Sequence, residues 1–154
     1  MSSSPPTLYE WAGQMPAFER LTRAFYARVL EDDLLEPVFR GMDAHHPSYV
    51  ATWLAEVFGG PPRYTEERGG YPHMLAKHRG LALTEPMRRR WVALICDAAD
   101  DAELPSDPEF RSAFVAYVEW GTRLAVSNSQ PGASPAPDAP VPHWGWGEAP
   151  PYTG

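Results

Sequence analysis

The sequence predicts an all-α fold, on three observations. Apolar residues recur at helical rather than alternating spacing through most of the chain. Helix-starting signals, such as Pro47, Thr84-Glu85-Pro86 and Ser106-Asp107-Pro108-Glu109, precede these stretches, and glycines often close them. No segment reads convincingly as a strand, and no internal repeat is present. At 154 residues, with 44% hydrophobic and 12% aromatic content, the chain suits one domain with a substantial core.

A short first helix is expected from Thr7 to Ala12, ended by Gly13. In the second, over 16–31, Phe18, Leu21, Phe25 and Val29 fall at i, i+3, i+7 and i+11, one apolar face. Asp32-Asp33 breaks that pattern, and Leu34-Leu35 with Val38-Phe39 forms a short turn closed by Gly41. Pro47 opens the next helix, with Val50, Trp53, Leu54 and Val57 inward, and Gly59-Gly60-Pro61-Pro62 stops it. Residues 63–71 read as a loop. PHMLAKHRG, at 72–80, is a short apolar helical turn that closes on His78.

Thr84 caps the following helix, whose apolar face is Met87, Trp91, Leu94, Ile95 and Ala98; Arg88-Arg89-Arg90 reads as its solvated side. Ser106-Asp107-Pro108-Glu109 starts the last long helix, with Phe110, Phe114, Tyr117, Val118, Gly121 and Leu124 along it. From about Ser127 the composition shifts, and the tail 127–154 holds seven of the 18 prolines. It reads either as an extended, largely disordered segment or as a strap that Trp144 and Trp146 dock to the body or to a partner.

Thirteen Lys/Arg against twenty Asp/Glu give a net charge of −7, which argues against nucleic-acid and anionic-membrane surfaces. Cys96 is the only cysteine, so no intrachain disulfide or zinc ribbon forms, and its apolar neighbours suggest an inert thiol. The start MSSSPP does not resemble a signal peptide, and no apolar run approaches the roughly 20 residues of a membrane span. A soluble, cytoplasmic protein is expected.

His78 poses the chemical question. Leu75 and Met74 precede it by three and four residues, so its helix face is otherwise apolar. His73 lies about 140° round the helix at 100° per residue, so the two cannot share a metal as an i, i+4 pair would. A protein-only zinc or di-iron site needs three or four converging ligands, and no HExxH or ExxH pattern occurs. A plain core histidine explains these residues; so does haem, whose iron needs only one imidazole.

The order of the flanking motifs favours haem. LTRAFYARVLEDDLLEPVF at 21–39, WLAEVFGGPPRYTEERGG at 53–70, MLAKH at 74–78 and RRRWVAL at 88–94 resemble a truncated haemoglobin, most closely group II. The resemblance runs collinearly over about residues 7–126. It implies a two-over-two helical sandwich, a haem domain at 1–126 and a proline-rich C-terminal extension at 127–154.

The cofactor it implies is haem b, with His78 as the proximal ligand. Tyr26 and Trp91 fall on the family's distal tyrosine and tryptophan, and Phe39 on the aromatic at the haem edge. His46 falls at the distal gate, as a third donor, a sixth iron ligand or a solvent-facing residue; a one-residue shift in alignment replaces it by His45. Val50, Trp53, Leu54, Met74 and Leu75 become apolar walls, and Tyr64, Arg68 and Lys77 become partners for the haem propionates. The chain departs from the family's usual pattern at Phe39, often tyrosine; at His45-His46-Pro47, often small; and at the lone Gly13.

The ligands implied are dioxygen, nitric oxide and carbon monoxide. Oxygen binding or delivery, nitric oxide dioxygenation and a peroxidase-like reaction share such a site, and dioxygenation needs a separate reductase, for which this chain has no room. A homodimer is compatible with this reading. The alternative function is a haem-free helical interaction module that docks through Trp144 and Trp146.

Overall fold

The computed structural model describes residues 4–134 and 139–150, and the described residues are helical, with no strand among them. The elements are α1 (Leu8–Ala12), α2 (Gln14–Val29), α3 (Glu36–Phe39), α4 (His46–Val57), α5 (Arg63–Arg68), α6 (Tyr71–His78), α7 (Glu85–Asp101) and α8 (Pro108–Asn128). Their ends follow local chemistry. Thr7 closes a capping box with Glu10, and Thr84 and Asp107 accept the orphan amides of Met87 and Phe110. The turn after α4 needs its two glycines: Gly59 sits at φ +99°, and a Cβ on Gly60 would lie 2.7 Å from the Tyr9 ring.

Helix α2 packs on both α4 and α7, and α7 packs on α8, which gives two helix pairs laid across each other. Phe18, Leu21, Phe25 and Val29 of α2 are wholly buried, as the i, i+3, i+7, i+11 pattern requires. Phe18, Phe58 and Phe114 stack through the middle, with centroids 5.8 and 6.0 Å apart, so aromatic packing ties the layers together. The expected two-over-two helical sandwich is the fold observed.

Two sequence expectations are corrected. The 63–71 segment is not loop: it contains α5 and the start of α6. Glu56, buried near the end of α4, accepts from the Thr65 backbone N–H at 2.9 Å and from the Thr65 hydroxyl, which pins α5 to α4. Nor is the arginine run entirely solvated. Arg88 is 6% exposed because it lies seven residues before Ile95, on the buried stripe of α7. Its guanidinium donates to Glu85 at 2.6 Å and to Glu119 of α8 at 3.0 Å.

The Arg88 pair carries a pH dependence. Hydrogen bonding from Arg88, against the opposing effect of desolvation and with help from Arg89, lowers the Glu85 carboxyl from 4.5 to about 2. Glu85 therefore stays ionised in the folded chain where the unfolded chain binds a proton. Its contribution is complete above pH 4.5 and is lost as pH falls toward 2. Urea denaturation of Arg88→Met should give a lower midpoint at neutral pH and a flatter pH dependence across that window; a midpoint that falls in parallel with wild type would refute the linkage.

The tail lies on the body. The Trp144 amide donates to Val57 O at the end of α4 (2.7 Å), and its indole packs against Tyr117 and Trp120, both centroids 5.5 Å away. The Trp146 indole donates to Pro6 O at 2.7 Å and meets Trp11 edge-on. Val141 is buried. The docked-tail expectation is the one these contacts match; residues 135–138 and 151–154 lie outside the described residues. Cys96 is half-buried, and burial, with Asp97 and Asp100 nearby, raises its thiol pKa and favours the unreactive thiol.

Candidate functional site

Helix α6 presents Tyr71, Leu75 and His78 along one face at i, i+4 and i+7, the first two buried. It packs on α8, and its Tyr71 ring stacks on Trp53 of α4, 6.5 Å away. His78 Nδ1 lies 2.9 Å from Met74 O. A carbonyl only accepts, so Nδ1 carries the proton and donates, which leaves the Nε2 lone pair of a neutral ring free for a ligand.

Tyr26 on α2 is 4% exposed, and its hydroxyl lies 2.9 Å from His46 Nε2. Burial pushes the Tyr26 phenol well above its ordinary value, so it keeps its proton. His46 is pushed below its ordinary value by burial first, then by the charge of Lys77. The neutral imidazole therefore accepts the Tyr26 O–H at Nε2. It is His46 that meets Tyr26; His45 is exposed, with its ring near Tyr49.

Phe39 holds the pair in place, its centroid 5.6 Å from Tyr26 and 6.0 Å from His46. Phe25 packs edge-on against both Tyr26 (4.9 Å) and Trp91 (4.7 Å). Trp91 is half-buried, and its indole N–H makes no hydrogen bond among the described residues. Val50 and Trp53 continue the α4 stripe that starts at His46, at i+4 and i+7. Leu54 and Trp53 are buried; Val50 and Met74 are half-buried against the core.

Arg68 supplies a cationic rim. Its guanidinium lies 3.7 Å from the Tyr49 ring centroid, and Nη2 approaches His73 Nε2 at 3.2 Å. Desolvation, then Arg68 and Lys77, lower the His73 pKa, so its neutral ring accepts that hydrogen bond. Arg68 Nε is buried and has no partner among the described residues. Such a donor costs stability unless an acceptor arrives, and a carboxylate suits it. Lys77 is exposed and forms no ion pair among the described residues. Tyr64 is buried edge-on against Trp53, 5.1 Å away, and burial raises its phenol to about 12.

These residues suit one kind of occupant. No group of three or more His, Cys, Asp or Glu among the described residues can hold a metal alone. A single free imidazole nitrogen, apolar side chains, neutral hydrogen-bond donors and a cationic donor without a partner among the described residues are chemistry that fits a planar metal chelate with its own acidic arms. Sequence reasoning missed Tyr49 beneath Arg68, and Tyr71 and Tyr117 around Trp53. Tyr71 had a signal, its i, i+7 relation to His78; the pairing of Tyr49 with Arg68, on different helices, had none.

Comparison with known proteins points the same way. The sequence pattern described as bacterial-like globin matches residues 7–119. The group 2 truncated hemoglobin YjbI of Bacillus subtilis is 30% identical over 122 residues, which cover 79% of this chain and 89% of that protein. The structure of a truncated oxygen-avid haemoglobin from Bacillus subtilis aligns with a TM-score of 0.70 at 29% identity, covering 79% of this chain and 99% of the other. A thermostable hemoglobin from Thermobifida fusca aligns at 0.69, also at 29% identity, covering 79% and 97%.

Proposed function

We propose, because the chain belongs to the bacterial-like globin family and to its group II truncated haemoglobins, that it binds dioxygen and other diatomic gases at haem b held by His78. The observation that carries this reading is the Nδ1–H of His78 bonded to Met74 O, which leaves Nε2 as a lone-pair donor on an apolar helix. When bound, haem would supply an iron that takes one imidazole from the chain, His78, and can bind a gas.

The chain does the rest. Met74 O fixes the tautomer and the ring orientation of His78. Tyr26 and Trp91 offer O–H and N–H donors to a ligand that gains negative charge, in a site where burial strengthens such bonds. His46, neutral and bonded to Tyr26, stores that hydroxyl when no gas is present. Val50, Trp53, Leu54, Met74 and Leu75 keep water out, and Arg68, with Tyr64 and Lys77 near it, receives the acidic arms.

Among uses of this site we favour oxygen binding, since the Bacillus subtilis relative is described as oxygen-avid. Nitric oxide dioxygenation would draw electrons from a separate reductase. The haem unit is the body to about residue 126, and 127–154 an appendage to it. A cytoplasmic setting fits the lone, half-buried Cys96. No helix among the described residues is long and apolar enough to cross a membrane. The haem-free alternative needs a free docking peptide, whereas Trp144 and Trp146 are engaged with this chain's own helices and N-terminus. Titrating haem into purified protein tests the proposal. A saturable, strong absorption band at the blue edge of the visible is expected, shifting with dithionite and then with carbon monoxide. Free-haem absorption throughout would sink it.

A further inference from the structure

Beyond the slot, one chain of aromatic side chains is unexplained by ligand binding. Trp53, on the slot stripe of α4, donates its indole N–H to the Tyr117 hydroxyl at 2.9 Å. The Tyr117 ring lies 6.2 Å from that of Trp120 and 5.5 Å from that of Trp144. Trp120 and Trp144 are themselves 5.5 Å apart, and Trp120 is 42% exposed. An indole so exposed forgoes much of the burial that usually retains tryptophan. A groove of about 400 Å3, lined by Ser112, Ala116, Trp144 and Trp146, opens beside this pair.

Indole and phenol are among the side chains most easily oxidised by one electron. We propose that Trp53, Tyr117 and Trp120 form an electron path from the surface to the haem slot, and that Trp120 is the site where a bulky phenolic reductant is oxidised at the expense of hydrogen peroxide. The inference rests on the haem reading. Each phenol gives Trp120 one electron and releases one proton to water, and two such transfers reduce one hydrogen peroxide in the slot to two waters. The O–O bond breaks, and each phenol leaves as a phenoxyl radical. Charge resting on the path settles at Trp120. Tyr117 is buried, burial raises its phenol to about 12, and its hydroxyl has no acceptor among the described residues. Trp120 can release its indole proton to solvent and regain it when reduced.

The test treats haem-loaded protein with hydrogen peroxide and a nitroso spin trap, and locates the adduct by peptide mass spectrometry. Wild type should carry the trap on Trp120, whereas haem-free protein should not. In Trp120→Phe the adduct should move to Trp144. In Tyr117→Phe, which keeps a ring but removes the hydroxyl link, the Trp120 adduct should fall to the haem-free level. Undiminished labelling of Trp120 in Tyr117→Phe, or labelling confined to Tyr26 and Trp91 in wild type, would overturn the path. A chain that binds no haem fails the haem reading and the path with it; haem-loaded protein with an unlabelled Trp120 fails the path alone.

Discussion

His78→Ala should lose the axial signature of the haem-loaded protein, and free imidazole added to the buffer should restore it. Of the other four histidines, His143 lies exposed in the C-terminal tail. His73 is engaged with Arg68 and His46 with Tyr26, while His45 is exposed beside Tyr49. The His78 imidazole is oriented by a carbonyl on its own helix, so deletion removes the ligand without disturbing a partner elsewhere. Weakening such an orienting bond typically costs about 10- to 100-fold in affinity, and removing the ligand itself should cost more. The check is haem transfer to an acceptor globin, followed by absorption. Transfer from His78→Ala should be much faster than from wild type and slower again with imidazole present. An unchanged spectrum and transfer rate would show that His46 or His73 holds the iron.

How far the sequence showed this site depends on the range of each interaction. The α2 face, the Thr84 and Asp107 caps and the short His78 helix are local patterns, and the structure contains them. The loop expected at 63–71 failed because α5 is held by Glu56, a carboxylate on another helix that no local pattern reveals. Arg88 failed differently. Three consecutive arginines look like a solvated face, yet successive residues turn by 100°, and Glu119 on α8 makes the buried one tolerable. At the site, the residues alone left His78 open between a core histidine and a haem ligand, and a family resemblance singled out His78, Tyr26 and Trp91. The Tyr26–His46 hydrogen bond was not legible, since its partners lie twenty residues apart on separate helices. Nor was the orphaned Arg68 Nε, a feature of packing rather than order.

That hydrogen bond makes the distal residues unequal, and dioxygen dissociation should show it. The Trp91 N–H has no hydrogen-bond partner among the described residues to give up, so its bond to a bound gas is a net gain. Removing a bond to a charged group costs about 1.5–3 kcal/mol, so Trp91→Phe should speed dissociation roughly 10- to 100-fold. Tyr26 must first release His46, a neutral bond worth about 0.5–1.5 kcal/mol, so Tyr26→Phe should have a smaller effect, on the order of a few-fold. His46 then decides the sign of a third variant. As the acceptor of the Tyr26 proton it competes with the gas, and His46→Leu should free the hydroxyl and slow dissociation. As a donor to the gas it would do the reverse, and His46→Leu would speed dissociation. Stopped-flow displacement of dioxygen from the three variants distinguishes these cases. The acceptor assignment follows from Tyr26 holding its proton and His46 staying neutral, both consequences chiefly of burial. A faster off-rate in His46→Leu, or an unchanged one in Trp91→Phe, would require a different donor set on the distal side.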